Sequence, residues 1–305
     1  MYNFLSLLVG IVIAFMVAVN GGLTAHYGVF GAAVIIHIVG SCFAFLLMKI
    51  CRQKIVLQPS ISWWMYTGGI IGVLTTVFNN FAYGKISLTS IIAVGLLGQT
   101  VTSLVIDSFG LFGMQKYRFK KSTLIGLVYA VAGIIVMLDH SAVSALYAVV
   151  LSFAGGVTVV LSRTVNAGLS ENTGALQGSF INHIVGLPVT VCVLFLWGGS
   201  DPIFTGIQVS SSVWIYFGGV LGVLTVLLLN ITVPKIPGFR LTLLSFIGQM
   251  FAGISLDLIT KQGYTKATFF GGLLVAAGVA TNVLIEQAYL YRERKSQVKI
   301  TELGE

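Results

Sequence analysis

Long apolar runs and short polar intervals alternate regularly enough along this chain that its elements can be drawn from the pattern alone. Runs of about 20 residues, the length a helix needs to cross hydrocarbon, fall near 4–24, 30–50, 62–82, 88–111 and 122–138. Five more fall near 146–165, 173–197, 212–232, 239–260 and 267–290. They are too long and continuous for barrel strands, and backbone groups in lipid must be satisfied within a segment, so all ten are predicted to be helices. The first run, Phe4 to Val19, has no basic residue before it and its end recurs later, so it reads as a mature helix and not a signal peptide. Glycines cluster inside the runs, as Gly68-Gly69 with Gly72 and Gly218-Gly219 with Gly222, a spacing that permits close helix crossing.

The pattern repeats. Val19-Asn20-Gly21-Gly22-Leu23 reads against Val165-Asn166-Ala167-Gly168-Leu169, and His37-Ile38-Val39-Gly40 against His183-Ile184-Val185-Gly186, both at an offset of 146 (166 − 20 and 183 − 37). At an offset of 150, Trp64 meets Trp214, Thr75 meets Thr225, Asn80 meets Asn230 and Gly98-Gln99 meets Gly248-Gln249. Asp107 and Asp257 follow their glutamines at the same eight-residue gap, and Ala132-Gly133 meets Ala277-Gly278 at 145. Slowly drifting offsets of this kind mark an internal duplication, here residues 1–141 and 142–291 with a tail at 292–305. Each unit holds five helices, an odd number, so the second enters the membrane opposite to the first. The expected fold is an all-α polytopic membrane protein of ten transmembrane helices in two inverted five-helix repeats, an architecture typical of secondary transporters.

Charge settles the class and the orientation. Only 9% of residues are charged and the mean hydropathy is +0.97, against roughly 25% charge in a soluble chain. The net charge of +8 does not form a basic face, because the cations lie between and after apolar runs, so nucleic acid is not an expected partner. With both termini cytoplasmic, 14 of the 17 Lys and Arg, Arg163 among them, fall on the inner side and Lys85, Lys261 and Lys266 outside, as the positive-inside rule requires. Cys42, Cys51 and Cys192 have neither paired spacing nor even number and suggest no disulfide framework or metal site.

Polar residues inside apolar runs are costly and therefore the candidates for a translocation pathway. They are Asn20, His37, Asn80, Gln99 and Asp107 in the first unit, and Asn166, His183, Asn230, Gln249 and Asp257 in the second. The glutamines fall centrally in their helices, where an amide offers donor and acceptor to a neutral or zwitterionic solute or glues helices together. The aspartates fall about 20 residues into theirs, in the pathway or near an interface facing cations or a neighbouring helix end. His37 and His183 could hold a structural hydrogen bond, exchange a proton near neutral pH, or ligate haem. Trp64, Tyr66, Trp214 and Tyr216 begin helices 3 and 8 as an interfacial belt is expected to, and Glu286 reads as interfacial.

These paired N-G-G/N-A-G, H-I-V-G and G-Q-x7-D stretches, on ten helices in two inverted halves, resemble the drug/metabolite transporter superfamily and within it the YdcZ-type inner-membrane exporters. Members are often a single five-helix unit, and this chain looks like two fused. The resemblance implies the fold and a transport role without supplying a substrate. The small guanidinium exporters of that superfamily use a membrane-embedded Glu on the first helix; here that helix has no acidic residue and carries Asn20.

No H-E-x-x-H, G-x-S-x-G or Walker A pattern is present, so the chain is not expected to be an enzyme or, alone, an ATP-driven pump, and no cofactor is expected. The expected function is a multi-pass inner-membrane secondary transporter exporting a small metabolite or toxic solute, with lipid around it and a coupling proton or ion as further partner. The alternatives are a haem-binding membrane electron carrier through His37 and His183, and a non-transporting membrane sensor or assembly partner.

Overall fold

The computed structural model describes residues 1–55, 59–82, 85–86, 88–117, 121–138, 145–204, 209–260, 266–267, 269–282 and 284–285. The helices are α1 (Tyr2–Tyr27), α2 (Val29–Ile50), α3 (Gly68–Ala82), α4 (Leu88–Phe109) and α5 (Lys121–Met137). They continue as α6 (Leu146–Thr173), α7 (Ala175–Trp197), α8 (Gly218–Thr232), α9 (Gly238–Thr260) and α10 (Phe269–Asn282). Short 3-10 turns, Trp63–Thr67 and Val213–Phe217, lead into α3 and α8. Among the described residues seven helices are long and apolar enough to cross a membrane: α1, α2, α4, α6, α7, α8 with its flanking turns, and α9. The helices α5 and α10 are apolar but shorter.

The first and sixth helices run past their expected ends. Asn20 and Asn166 each lie seven residues inside (27 − 20 and 173 − 166), because the weakly polar stretches after them stay helical until a single glycine breaks the turn. Those breakers are Gly28, with φ +79°, and Gly174, with φ +88°, a backbone region open to glycine and strained for other residues. Each joins two long helices through one residue, and they stand 146 apart (174 − 28).

Packing does not follow chain order. Helix α1 lies against α8 and α9, while α6 lies against α3 and α4, and α2 meets α7 and α8. Bare backbone makes each crossing. A Cβ on Gly98 of α4 would collide with the Phe153 carbonyl of α6, and one on Gly248 of α9 with the Leu7 carbonyl of α1. Likewise Gly69 of α3 rests on the Asn182 carbonyl of α7, and Gly219 of α8 on the Ile36 carbonyl of α2. In each pair of crossings one partner recurs at 146 (153 − 7, 182 − 36) and the other at 150 (248 − 98, 219 − 69). Without lipid exclusion to drive helices together, such close approach is what gives van der Waals packing its strength in a bilayer. A buried apolar cluster with Leu96, Ile134, Phe239, Leu243, Phe246 and Val275 joins α4, α5, α9 and α10.

Candidate functional site

The polar residues sort into three levels along α1, whose 26 residues span on the order of 40 Å at 1.5 Å per residue. Beside Tyr2, in an apolar cluster that includes Met114, Val233, Ile236 and Leu241, lies a charged group. Asp107, at the end of α4, accepts a hydrogen bond from the Gly238 amide on Oδ1 and from the Phe239 amide on Oδ2, both at 2.8 Å. It thus satisfies two orphan donors at the start of α9 and places negative charge at the positive end of that helix. Arg163 is buried in the body of α6. Its Nη2 donates to Ser103 Oγ at 2.8 Å, Thr242 Oγ1 at 2.6 Å and the Gly238 carbonyl at 3.3 Å. Ser103 and Thr242 are themselves 2.9 Å apart, so one guanidinium ties α4, α6 and α9 together. A crevice beside this group, lined also by Tyr117, Thr164 and Pro234, has a volume of about 20 Å³, enough for a water molecule. Burial, and secondly the Asp107 carboxylate, hold the Tyr117 phenol above the usual tyrosine range.

At the Tyr27 end of α1 a second group mirrors the first. Asp201 Oδ2 accepts from the Phe30 and Gly31 amides at 2.8 Å each, capping α2 as Asp107 caps α9. The Tyr27 and Tyr216 hydroxyls are hydrogen-bonded to each other, and the Ser210 amide donates to both, at 3.3 and 3.1 Å. The segment after α7 is thereby fastened over α1, α2 and the start of α8.

Between these ends lie the expected candidates. The rings of His37 and His183 are 5.8 Å apart between centroids, and each is seated on glycine of the facing helix, His183 on Gly40 and His37 on Gly186. The imidazoles themselves fill the space between α2 and α7. Asn20 packs on Gly218 and Asn166 on Gly68. Asn166 Nδ2 also donates to Asn182 Oδ1 at 2.7 Å, whereas Asn20 Oδ1 is buried with no partner. Asn230 donates to the Ala175 carbonyl at 3.0 Å and leaves its own Oδ1 buried and unpaired. Gln99 and Gln249 are half-buried at the α4–α6 and α1–α9 crossings, where Gly156 and Gly10 lie against their backbone nitrogens. The two glutamines therefore occupy separate crossings. The side chains of Asn80 and Asp257 lie outside the described residues, as does Glu286.

Four residues of these end groups, Arg163, Asp201, Tyr27 and Tyr216, were not among the pathway candidates the sequence offered. Arg163 reads as a loop cation only if helix 6 ends near 165; since α6 continues to Thr173, it sits inside the bundle. Asp201 and the Tyr27–Tyr216 pair carry no local signal, since their partners are more than 150 residues away. Gly28, matched in the repeat by Gly174 at the opposite end of the molecule, is the sequence mark that could have directed attention there.

No curated protein sequence matches the chain. One solved crystal structure, described as "Crystal structure of protein", superposes with a TM-score of 0.70 at 14% identity, over 94% of this chain and 97% of that one. At that identity the likeness speaks for the fold. The family model described as "Putative inner membrane exporter, YdcZ" matches residues 1–136 and again residues 147–281. Matched twice and nearly end to end, the chain belongs to the YdcZ inner-membrane exporter family of drug/metabolite transporters.

Proposed function

We propose that the chain is a secondary transporter that exports a small polar metabolite or toxic solute by alternating access between two inverted five-helix halves, residues 1–141 and 142–291, with 292–305 as a cytoplasmic tail. The observation that carries this reading is the reciprocity of the contacts. Asn20 sits on Gly218 while Asn166 sits on Gly68, and His183 sits on Gly40 while His37 sits on Gly186. Related halves that meet through equivalent contacts are the arrangement from which inverted-repeat transporters alternate, one half moving against the other around a site between them.

In this reading the Asp107–Arg163 group closes the cytoplasmic end and the Asp201–Tyr27–Tyr216 group closes the opposite one. Both fasten helices through capped N-termini and buried hydrogen bonds, contacts that a tilt of one half breaks and the opposite tilt restores. The pathway runs between them past Asn20, Asn166, His37, His183, Gln99 and Gln249, and is completed by Asn80, Asn230 and Asp257. An amide-rich path with unpaired acceptors at Asn20 and Asn230 favours a neutral or zwitterionic solute that brings donors. No chemical step on the solute is involved, so the protein is not an enzyme.

The test is a panel of small polar metabolites screened for thermal stabilisation of the purified protein, followed by counterflow in proteoliposomes. A ligand that binds the folded state raises its stability by mass action. At least one solute is expected both to stabilise and to exchange. Gln99→Leu and Gln249→Leu are expected to weaken its binding by about 1 to 3 kcal/mol with little change in unliganded melting. Lower melting with unchanged affinity in those variants would assign the amides to helix packing, and a panel with no exchange would overturn the transport reading.

A further inference from the structure

The buried arginine is only partly used by the group it holds together. Its three hydrogen bonds, to Ser103, Thr242 and the Gly238 carbonyl, all leave from Nη2. A guanidinium carries five N–H donors, and those on Nε and Nη1 of Arg163 have no partner among the described residues. No carboxylate touches it either. Asp107 Oδ1 and Oδ2 accept from the Gly238 and Phe239 amides, and Asp107 reaches the guanidinium only as a nearby charge. Arg163 is 6% exposed, and a buried cation with unpaired donors and no counter-ion in contact is costly.

The crevice of about 20 Å³ that Arg163 lines shows what relieves that cost. Thr164, 3% exposed, lines it as well, and its hydroxyl makes no hydrogen bond among the described residues. Ile106, Val160 and Val233 make other parts of the wall apolar, so a charge inside is little screened. Asp107 also faces the crevice, with its charge set against two amides at the positive end of α9. The exposed Lys116 and Lys235 lie in the segments that bound it, which makes the approach positive.

We propose that this crevice binds one chloride ion, which accepts hydrogen bonds from the unpaired N–H groups of Arg163 and from the Thr164 hydroxyl. Chloride here is a fixed partner of the buried arginine, and its binding does not depend on whether the chain transports a solute. The donors that α4 and α9 leave over are thereby satisfied, and the buried charge is neutralised where it stands.

Volume and geometry both select a single-atom anion. A crevice of this size admits a group about as large as a water molecule and excludes the body of a metabolite. Each two-pronged edge with which a guanidinium grips a carboxylate or phosphate includes Nη2, which is already engaged. What remains is single N–H groups pointing in different directions. A spherical ion can take one of them together with a hydroxyl, whereas a planar oxyanion finds no fork to grip.

The test is 35Cl NMR of the purified protein, because exchange with a bound site broadens the line of the free ion even when binding is weak. The wild type is expected to show excess linewidth that bromide removes by competition and gluconate, at the same ionic strength, does not. R163Q should lose that excess, and T164V, which deletes only the hydroxyl donor, should bind chloride at least about threefold more weakly. K49Q removes an exposed cation at the end of α2 and is expected to leave binding as it was. Should R163Q fail to fold, T164V still decides, together with wild-type crystals grown in bromide, whose anomalous density is expected at Arg163 and Thr164. No excess linewidth, unchanged binding in T164V, equal losses in K49Q and R163Q, displacement by formate but not by bromide, or a bromide peak elsewhere overturns the proposal.

Discussion

Arg163 shows how one side chain can change sides of an argument. As a cation after an apolar run it counts toward orientation; inside α6 it is a buried charge that must be satisfied, and three oxygens of α4 and α9 accept from its Nη2. Asp107 completes that group by capping α9, so its replacement has a graded outcome. Asp107→Asn keeps one acceptor for the amides, while Asp107→Ala orphans both and removes the carboxylate near the guanidinium. We expect Asp107→Ala to cost at least about 1 to 2 kcal/mol from the cap alone and Asp107→Asn less, read as the order of melting midpoints in detergent; equal midpoints for all three proteins would remove Asp107 from the fastening. Tyr117 provides a second readout. Its phenol, held up first by burial and then by the Asp107 charge, should titrate above free tyrosine in the difference between wild-type and Tyr117→Phe absorbance. Asp107→Asn should bring that titration back down, since one of the two causes is gone. At this scale the sequence revealed which polar residues are embedded, through the pairing of Asn20 with Asn166 and His37 with His183. It did not reveal their partners: what faces Asn20 is Gly218, nearly 200 residues away, and no local pattern encodes that.

Helices were the most legible part, because a run of about 20 apolar residues has few other solutions in a bilayer. Their ends were less so. The stretches from Asn20 to Tyr27 and from Asn166 to Thr173 are polar enough to read as loops, yet they stay helical until Gly28 and Gly174. Those two hinges carry a prediction that separates backbone strain from crowding. A Cβ on Gly174 meets nothing within 4 Å, whereas one on Gly28 would run into the Asp201 carboxylate. Gly174→Ala should therefore cost only the positive-φ penalty, about 1 kcal/mol or more, and Gly28→Ala distinctly more, because it also displaces the cap on α2. Similar losses for both would mean that the Asp201 contact contributes little. The exchange of α1 and α6 between neighbours was invisible beforehand, since a repeat shows which residues correspond and not which helices touch.

For the whole molecule, the reciprocal crossings and the twice-matched family model describe a chain built from two related units, and transport follows if those units rock against each other. Orientation is open to a direct check: reporters fused at the C-terminus and near Asp201 should report opposite sides of the membrane, and the same side for both would remove the ten-helix arrangement. The central claim is that the two ends open in turn. Spin-label distances answer it most directly, with one pair across the Asp107 end, at Lys116 and Lys235, and one across the other, at Lys85 and Ser211, in protein whose three exposed cysteines have been replaced. Alternating access predicts two distances for each pair, with the population that is wide at one end narrow at the other, and a shift between them as pH or solute changes. A single distance at each end under all conditions, or both ends widening together, would contradict it.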